Sequence, residues 1–273
     1  MNLRDDMIAA LIEAKISSPR LEADIILKYA APNYPEFSGQ EKTRVQEMLS
    51  RRINHEPLDK IIGQKEFYKS VFKVNQDVLS PRPDTEILVE SALKLINKSK
   101  SCNILDLGTG SGCIILSLLK ELPLAKGVGL DISEKALKIA DLNANNLGVS
   151  DRVEWLLGSW QEPQKITGQF EIIVSNPPYI ESKEIETLDR EVKDFDPLLA
   201  LDGGKDGFDC YRDIAKITPA ILKEEGCILL EVGYNQADRV RQIFENQNLN
   251  YIETVKDLAN IDRCVILSKN SCK

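Results

Sequence analysis

Asn176-Pro177-Pro178-Tyr179 follows closely on the apolar run from Phe170 to Val174. Two consecutive prolines donate no backbone hydrogen bond and hold φ near about −65°, so a strand that reaches them stops and turns. Asn176 is thereby left at a strand end. Its primary amide offers an acceptor oxygen and two donors, beside rigid backbone carbonyls and with an aromatic ring close behind. That set suits recognition of a planar NH2 group. An ordinary Pro-rich strand exit would carry the same four residues, so the segment needs a second feature to give it meaning.

The second feature is Asp106-Leu107-Gly108-Thr109-Gly110-Ser111-Gly112, at the end of an apolar strand and before an apolar helix expected over Ile114 to Leu119. Alternate glycines let the backbone turn sharply and approach a ligand at the positive end of a helix, which marks a cofactor loop. The dinucleotide fingerprint wants its last two glycines three apart. This loop reads Gly-x-Gly-x-Gly, the spacing over which S-adenosylmethionine lies in place of a pyrophosphate. Asp131 ends the next strand, where a carboxylate accepts hydrogen bonds from both ribose hydroxyls. Its competing role is to cap the helix expected over Glu134 to Leu142, for which Ser133 is the better candidate. After the third strand come Gly158, Ser159 and Trp160, whose indole either packs on an adenine or fills the core.

These residues need a scaffold, and 273 residues with a 42% apolar fraction allow one large α/β domain and a small one. The net charge of −8 argues against a broad basic surface for nucleic acid. No apolar stretch reaches the roughly 20 residues that span a bilayer, and Asp5 and Asp6 close behind Arg4 do not suit a signal peptide, so a cytosolic protein is expected. The six cysteines (Cys102, Cys113, Cys210, Cys227, Cys264, Cys272) form no C-x-x-C pair and His55 is the only histidine, which indicates neither a zinc site nor a disulfide framework. Reduced, mostly buried thiols are expected.

The first sixty residues read as helices. Leu3, Met7, Ala10, Leu11 and Ala14 form one stripe, Leu21, Ile25 and Ile26 start a second, and Val45, Met48, Leu49 and Ile53 a third. Phe67, Val71, Phe72 and Val74 around Lys69-Ser70 predict a hairpin, and Pro81-Arg82-Pro83 a stiff extended linker. Beyond Thr85 helices and strands alternate, the pattern of a parallel sheet covered on both faces. Strands are expected at Asn103 to Leu107, Gly127 to Leu130, Val153 to Leu157, Phe170 to Val174, Cys227 to Val232, Tyr251 to Val255 and Cys264 to Leu267. A helix is expected over Ile87 to Ile96, capped by Asp84 or Thr85.

The glycine loop, Asp131 and the Asn-Pro-Pro-Tyr segment together resemble the S-adenosylmethionine-dependent methyltransferases that modify amide or exocyclic NH2 nitrogens. Further segments narrow the resemblance: Gln64-Lys65-Glu66-Phe67-Tyr68, Phe72-Lys73-Val74, Pro81-Arg82-Pro83-Asp84-Thr85-Glu86, Leu201-Asp202-Gly203-Gly204-Lys205-Asp206-Gly207 and Leu230-Glu231-Val232-Gly233-Tyr234. With them, nearly the whole chain is similar to the protein-(glutamine-N(5)) methyltransferases of peptide chain release factors, the HemK/PrmC family. The resemblance implies a class I, Rossmann-like α/β methyltransferase fold with a seven-stranded, mostly parallel sheet. A small N-terminal helical docking domain would occupy residues 1–62, a β-hairpin and Pro-rich linker 63–83, and the methyltransferase domain 84–273. The implied reaction moves a methyl group from S-adenosylmethionine to the glutamine amide of the Gly-Gly-Gln motif in bacterial class I release factors, leaving S-adenosylhomocysteine. A monomer with no stable nucleic-acid or membrane partner and no metal is expected. Ser80 stands before Pro81 where that family usually has an aliphatic residue, and Ser159 before Trp160 where an acidic one is common. The second difference implies weaker recognition of the adenine amine.

On this reading Gly108, Thr109, Gly110, Ser111, Gly112, Asp131, Trp160 and Asn176 hold the cofactor, and Asn176, Pro177, Pro178 and Tyr179 the substrate. An amide nitrogen is a weak nucleophile, so positioning should dominate. The Asn176 oxygen and the Pro177 carbonyl would accept the two amide N–H bonds while Tyr179 walls the amide plane, an arrangement strongest in the transition state. No general base is needed, since the methylated product sheds its proton readily, and no histidine lies near the motif. Asp84 and Glu86 could contact the cofactor, Asp106 could meet its amino group or fix the loop, and Glu231 could organise a loop. Arg82 is expected to pack or contact a partner, and His55 to be structural. Two other functions fit the motifs: an amino-methyltransferase acting on adenine or cytosine in nucleic acid, which would need a basic groove and base flipping, and a binding protein that keeps the fold without catalysis.

Overall fold

Helical periodicity in the first sixty residues produces α1 (Leu3–Glu13), α2 (Pro19–Ala30), α3 (Gly39–Ile53) and the short α4 (Leu58–Ile62). The computed structural model describes residues 3–270, so Cys272 lies outside the described residues. The four helices share a core of their own that includes Met7, Leu11, Ala23, Ile26, Leu27 and Val45. Two stripe positions differ from expectation. Leu21 is exposed and the buried face of α2 runs through Ala23, Ile26, Leu27 and Ala30, while at the end of α3 Arg52 is buried and Ile53 is not. The guanidinium turns inward because Glu22 and Glu191 pair with it there, an exception that hydrophobic periodicity cannot register. A reciprocal Ser38–Glu41 capping box starts α3.

Gly63, left-handed at φ 72°, ends α4 and feeds the hairpin β1 (Gln64–Phe67) and β2 (Ser70–Lys73), which turns at Tyr68-Lys69. Phe67 and Phe72 meet edge to face, 6.0 Å between centroids. Both are buried in the main core, which stabilises the hairpin by about 1.5–3 kcal/mol per ring. The Glu86 carboxylate accepts from the Tyr68 N–H at 2.9 Å. Pro81 and Arg82 continue extended, but Pro83 opens a 3-10 turn over Pro83–Thr85 that leads into α5 (Glu86–Leu95).

The sheet contains β3 (Asn103–Leu107), β4 (Lys126–Asp131), β5 (Val153–Leu157), β6 (Phe170–Ser175), β7 (Leu222–Glu231), β8 (Asn250–Lys256) and β9 (Asp262–Ser268), in the order β5-β4-β3-β6-β7-β9-β8. Only β9 runs against the rest. β7 begins five residues before the expected Cys227, because an irregular stretch still pairs Leu222 with Phe170. Alternate residues of the central strands serve opposite faces. Ile104, Val174 and Leu229 pack under α5, α6 (Cys113–Glu121) and α7 (Glu134–Leu147). Leu105, Ile173 and Ile228 pack under α9 (Asp209–Ile221) and α10 (Ala237–Glu245), with a single turn, α8 (Arg190–Lys193), in the connection before them. Burial on both faces makes these strands continuous apolar runs. α7 extends past the expected Leu142 to Leu147 and stops at Gly148, left-handed at φ 68°. Among the described residues no helix is long and apolar enough to cross a membrane, and Cys102, Cys113, Cys210 and Cys264 are free thiols.

Candidate active site

The strand order reverses around β3, with β4 on one side and β6 on the other, and open α/β sheets bind ligands at the carboxyl ends beside such a switch. A cleft of about 420 Å³ lies there. Gly108 and Gly110 after β3, Asp131 at the end of β4, Trp160 after β5, and Asn176 and Pro178 after β6 all border it. Four strand ends distant in sequence thus meet in one space.

The glycine loop turns through φ 77° at Gly108 and 54° at Gly110, conformations that a side chain would strain. Asp131 fixes the loop from the next strand, accepting from the Gly110 N–H at 2.8 Å and the Ser133 N–H at 2.9 Å. Each carboxylate oxygen keeps a lone pair for a further donor. Ser133, not Asp131, caps α7 through the Ala136 N–H. Behind the loop Thr109 Oγ1 donates to Asp106 Oδ2 at 2.7 Å. Asp106 is fully buried and does not border the cleft, and this hydrogen bond ties it to the loop. Burial pushes its carboxyl up to about 7 against the Thr109 hydrogen bond. Thr109, Ser111 and Gly112 also lie behind the cleft: the first two are buried, and Gly112 starts α6. Asn143 of α7 ties this loop to the hairpin, donating to the carbonyls of Ser111 at 2.9 Å and Lys73 at 3.0 Å and accepting from the Lys73 N–H at 2.7 Å. Trp160 packs on the core and also borders the cleft. Ser159 Oγ accepts from the Gln161 N–H at 3.1 Å.

At the end of β6, Pro177 is buried, and Asn176 Nδ2 donates to Thr85 Oγ1 at 3.3 Å. Tyr179 packs into the core on the α9 side, where burial and the nearby Glu231 push its hydroxyl up to about 12. The Asp-Gly-Gly segment braces this turn. Ile180 N–H donates to the Leu201 carbonyl at 3.0 Å, and Gly203 N–H to the Ile180 carbonyl at 2.8 Å. A Cβ at Gly203 would stand 2.7 Å from Tyr179 Cα and 2.9 Å from the Pro178 carbonyl oxygen. Gln236 Nε2 donates to the Tyr179 carbonyl at 3.0 Å. Gly203 and Gln236 were not expected at the site. The glycine cluster was a visible signal, but what it approaches depends on chain tens of residues away.

Two expectations near the linker are corrected. Neither Asp84 nor Thr85 caps α5: Asp84 pairs with Arg263 at 3.0 Å, Thr85 is turned toward Asn176, and α5 continues from a 3-10 turn that already engages its first N–H groups. Glu86 holds the hairpin and does not reach the cleft. Arg82 meets Asp196 at 3.0 Å, and Asp196 also pairs with the buried Lys60 at 2.5 Å. Lys60 donates in addition to the Phe195 carbonyl. Together with Arg52, Glu22 and Glu191, these pairs join the N-terminal helices to the 190–196 segment that leads into the cleft wall at Pro197 and Leu198. Ser80 is buried beside them, and its hydroxyl has no hydrogen-bond partner among the described residues. His55 caps a turn at φ 69°, away from the cleft. No group of His, Cys, Asp and Glu among the described residues is disposed to hold a metal ion.

A family model for a methyltransferase domain matches residues 98–265. The release factor glutamine methyltransferase of Caulobacter vibrioides is 40% identical over 269 residues, covering 95% of this chain and 93% of that one. Its counterpart in Thermodesulfovibrio yellowstonii is 43% identical over 243 residues, covering 86% and 85%. Among solved structures, a methyltransferase from Pyrococcus furiosus superimposes with a TM-score of 0.57 at 14% identity, over 82% of this chain and 98% of that one, a likeness of fold. With the methyltransferase sheet, a cleft at its switch point and relatives about 40% identical along nearly its full length, the chain belongs to the release factor glutamine methyltransferase family.

Proposed function

We propose that this protein transfers a methyl group from S-adenosylmethionine to the side-chain amide nitrogen of the glutamine in the Gly-Gly-Gln motif of class I release factors. The observation that carries the reading is that Asn176 borders the same cleft as Gly108, Gly110 and Asp131, so a methyl donor and an NH2-bearing side chain can meet there. The substrate follows from relatives named for it that match along nearly the whole chain.

The cleft suits the cofactor. Its wall combines an acceptor carboxylate, an indole and close-approach glycine backbone, and a Cβ on Gly108 would stand 3.5 Å from the Trp160 ring and fill the cradle between them. Asp131 would take the ribose hydroxyls, Trp160 and Ile132 the adenine, and the backbone at Gly108 and Gly110 the methionine end, with Thr109, Ser111 and Gly112 supporting the loop from behind. When bound, S-adenosylmethionine supplies an electrophilic methyl group. Asn176 Oδ1 and the Pro177 carbonyl accept the two N–H bonds of the glutamine amide and aim its nitrogen, while Tyr179 limits the space on the amide face. These acceptors gain strength as positive charge develops on nitrogen, which lowers the barrier selectively. Pro177 and Pro178 keep the acceptors rigid, so little ordering is left for the reaction itself. The amide proton leaves to solvent after transfer.

In this reading residues 1–62 form a docking domain for the release factor, residues 63–83 the linker, and residues 84–273 the catalytic domain. The test is mass spectrometry of a Gly-Gly-Gln release-factor peptide incubated with the purified protein and S-adenosylmethionine. One added methyl on the glutamine is expected, with kcat reduced about 1,000-fold in Asn176→Ala and the fold intact by circular dichroism. An unmodified glutamine, or methyl incorporation into DNA or RNA in its place, overturns the proposal.

A further inference from the structure

The Asn176 amide has two ends, an oxygen and an NH2, which exchange places by a half-turn. Only one orientation offers the oxygen to a substrate N–H. Here Nδ2 is held by Thr85 Oγ1 at 3.3 Å, which leaves Oδ1 as the free end at the cleft. Thr85 is 2% exposed, and behind it Glu231, the last residue of β7, is 3% exposed. The Thr85 hydroxyl and the Asn176 amide both stand close enough to the Glu231 carboxylate to favour its charged form against burial, and its Oε2 has no hydrogen-bond partner among the described residues. Burying a carboxylate with an unpaired oxygen destabilises a fold, and the flanking Leu230 and Val232 are plain apolar core. A group held against that penalty beside a reacting centre is a candidate for function.

We propose that Glu231, directly and through Thr85, is a positioning residue: its acceptor-only carboxylate holds the NH2 end of Asn176 away from the cleft and so presents Oδ1 to the glutamine amide. The inference rests on the function proposed above. Ionised Glu231 can only accept, so Thr85 donates to it and turns a lone pair toward Asn176 Nδ2. Protonated Glu231 carries an O–H, can donate to Thr85, and allows the hydroxyl to turn its proton toward Asn176 Oδ1, which favours the inverted amide.

Glu231 is held near about 7 by burial, so the switch falls in an accessible pH range. The groups facing it are Arg263 and Cys264 on β9, Asp84 in the 3-10 turn before α5, Tyr179 after β6, Tyr211 on α9 and Cys113 on α6. Burial pushes Tyr179 and Cys113 up to about 12 and raises Tyr211 and Cys264 as well, and Arg263 is raised by its carboxylate partners. Asp106 also titrates near about 7, so the informative quantity is the ratio of wild type to variant.

The test is Glu231→Gln, a neutral side chain of the same shape that can donate as well as accept. At pH 8 its kcat on the release-factor peptide should fall about 10- to 100-fold, with S-adenosylmethionine affinity by calorimetry within about threefold of wild type. The wild-type to variant ratio should rise through pH 7. Thr85→Val should lower kcat in the same way and Thr85→Ser restore it, which keeps the test decisive if Glu231→Gln fails to fold. Independently of turnover, the nitrogen-15 side-chain resonance of Asn176, assigned by its loss in Asn176→Ala, should titrate near pH 7 in wild type and stay flat in Glu231→Gln. A kcat at pH 8 within twofold of wild type in Glu231→Gln, or in Thr85→Val, overturns the assignment. So does an Asn176 resonance that does not respond to pH, whereas an inactive wild type whose resonance still titrates counts only against the proposed reaction.

Discussion

At the scale of residues, the site is a matter of backbone held within tenths of an ångström. Pro177 and Pro178 fix their own φ, but what keeps the turn from moving bodily is the approach of Gly203 to within contact of Tyr179 and Pro178. The atoms a Cβ would meet at 2.7 and 2.9 Å are main chain, and main chain cannot swing aside as a side chain can. Gly203→Ala should therefore shift the Asn176–Tyr179 turn, lowering kcat on a release-factor peptide about 100-fold and stability by about 1–3 kcal/mol. S-adenosylmethionine affinity should persist, because the glycine loop and Asp131 lie on other strands. Calorimetry beside turnover checks the split, and equal losses in both would count against it. Asn176, the glycine loop and Asp131 were legible because each is defined by its immediate neighbours in sequence. Thr85 and Gly203 were not legible as site residues, since their meaning comes from groups brought close only by the fold.

Elements follow the same division. The central strands stand out as apolar runs because both faces of the sheet are buried there, and the first extended stretch of the linker follows from its prolines. Hidden from a pattern of apolar residues is the clasp that joins the N-terminal helices to the segment after β6, since it consists of charges. Lys60 and Asp196 are each 2% exposed at the side chain and meet at 2.5 Å, with Arg82 as a second partner for Asp196. The inward Arg52 likewise replaced an expected apolar position because its partners lie on α2 and α8. Breaking a buried pair from one side strands a charge, whereas removing both sides together is close to neutral. Lys60→Met and Asp196→Leu should each lower stability to urea by about 3–5 kcal/mol, and the double variant should recover most of the loss. Additive losses in the double variant would show that the two side chains act independently. If the clasp also sets where the helices stand relative to the cleft wall at Pro197 and Leu198, the double variant will be stable yet raise KM for the full release factor more than for the short peptide.

For the whole molecule, the two buried carboxyls set how stability depends on pH. Asp106 and Glu231 are each raised by burial to about 7, from ordinary values of 3.8 and 4.5. Between those limits the native state keeps protons that the unfolded chain has lost, so unfolding becomes easier as pH rises. The stability is fully present below the ordinary carboxylate range and is lost as pH passes through about 7, on the order of 3 kcal/mol or more for each group. Carboxylates outside the core such as Asp24, Glu41 and Asp257 are lowered by hydrogen bonds from Arg4, Ser38 and Ile261, so their contribution runs the other way and is lost only in acid. Those are surface interactions weakened by solvent. The midpoint of urea unfolding should accordingly be highest near about pH 4 to 5, decline up to about pH 7 and level off toward pH 8. Asp106→Asn and Glu231→Gln should each remove part of that decline. A midpoint that rises steadily to pH 8, with both variants parallel to wild type, would show that the two carboxyls are ionised throughout. If the decline is found, the pH at which the proposed Glu231 positioning is complete is also the pH at which the fold bears its full destabilisation, a trade of stability for a prepared site.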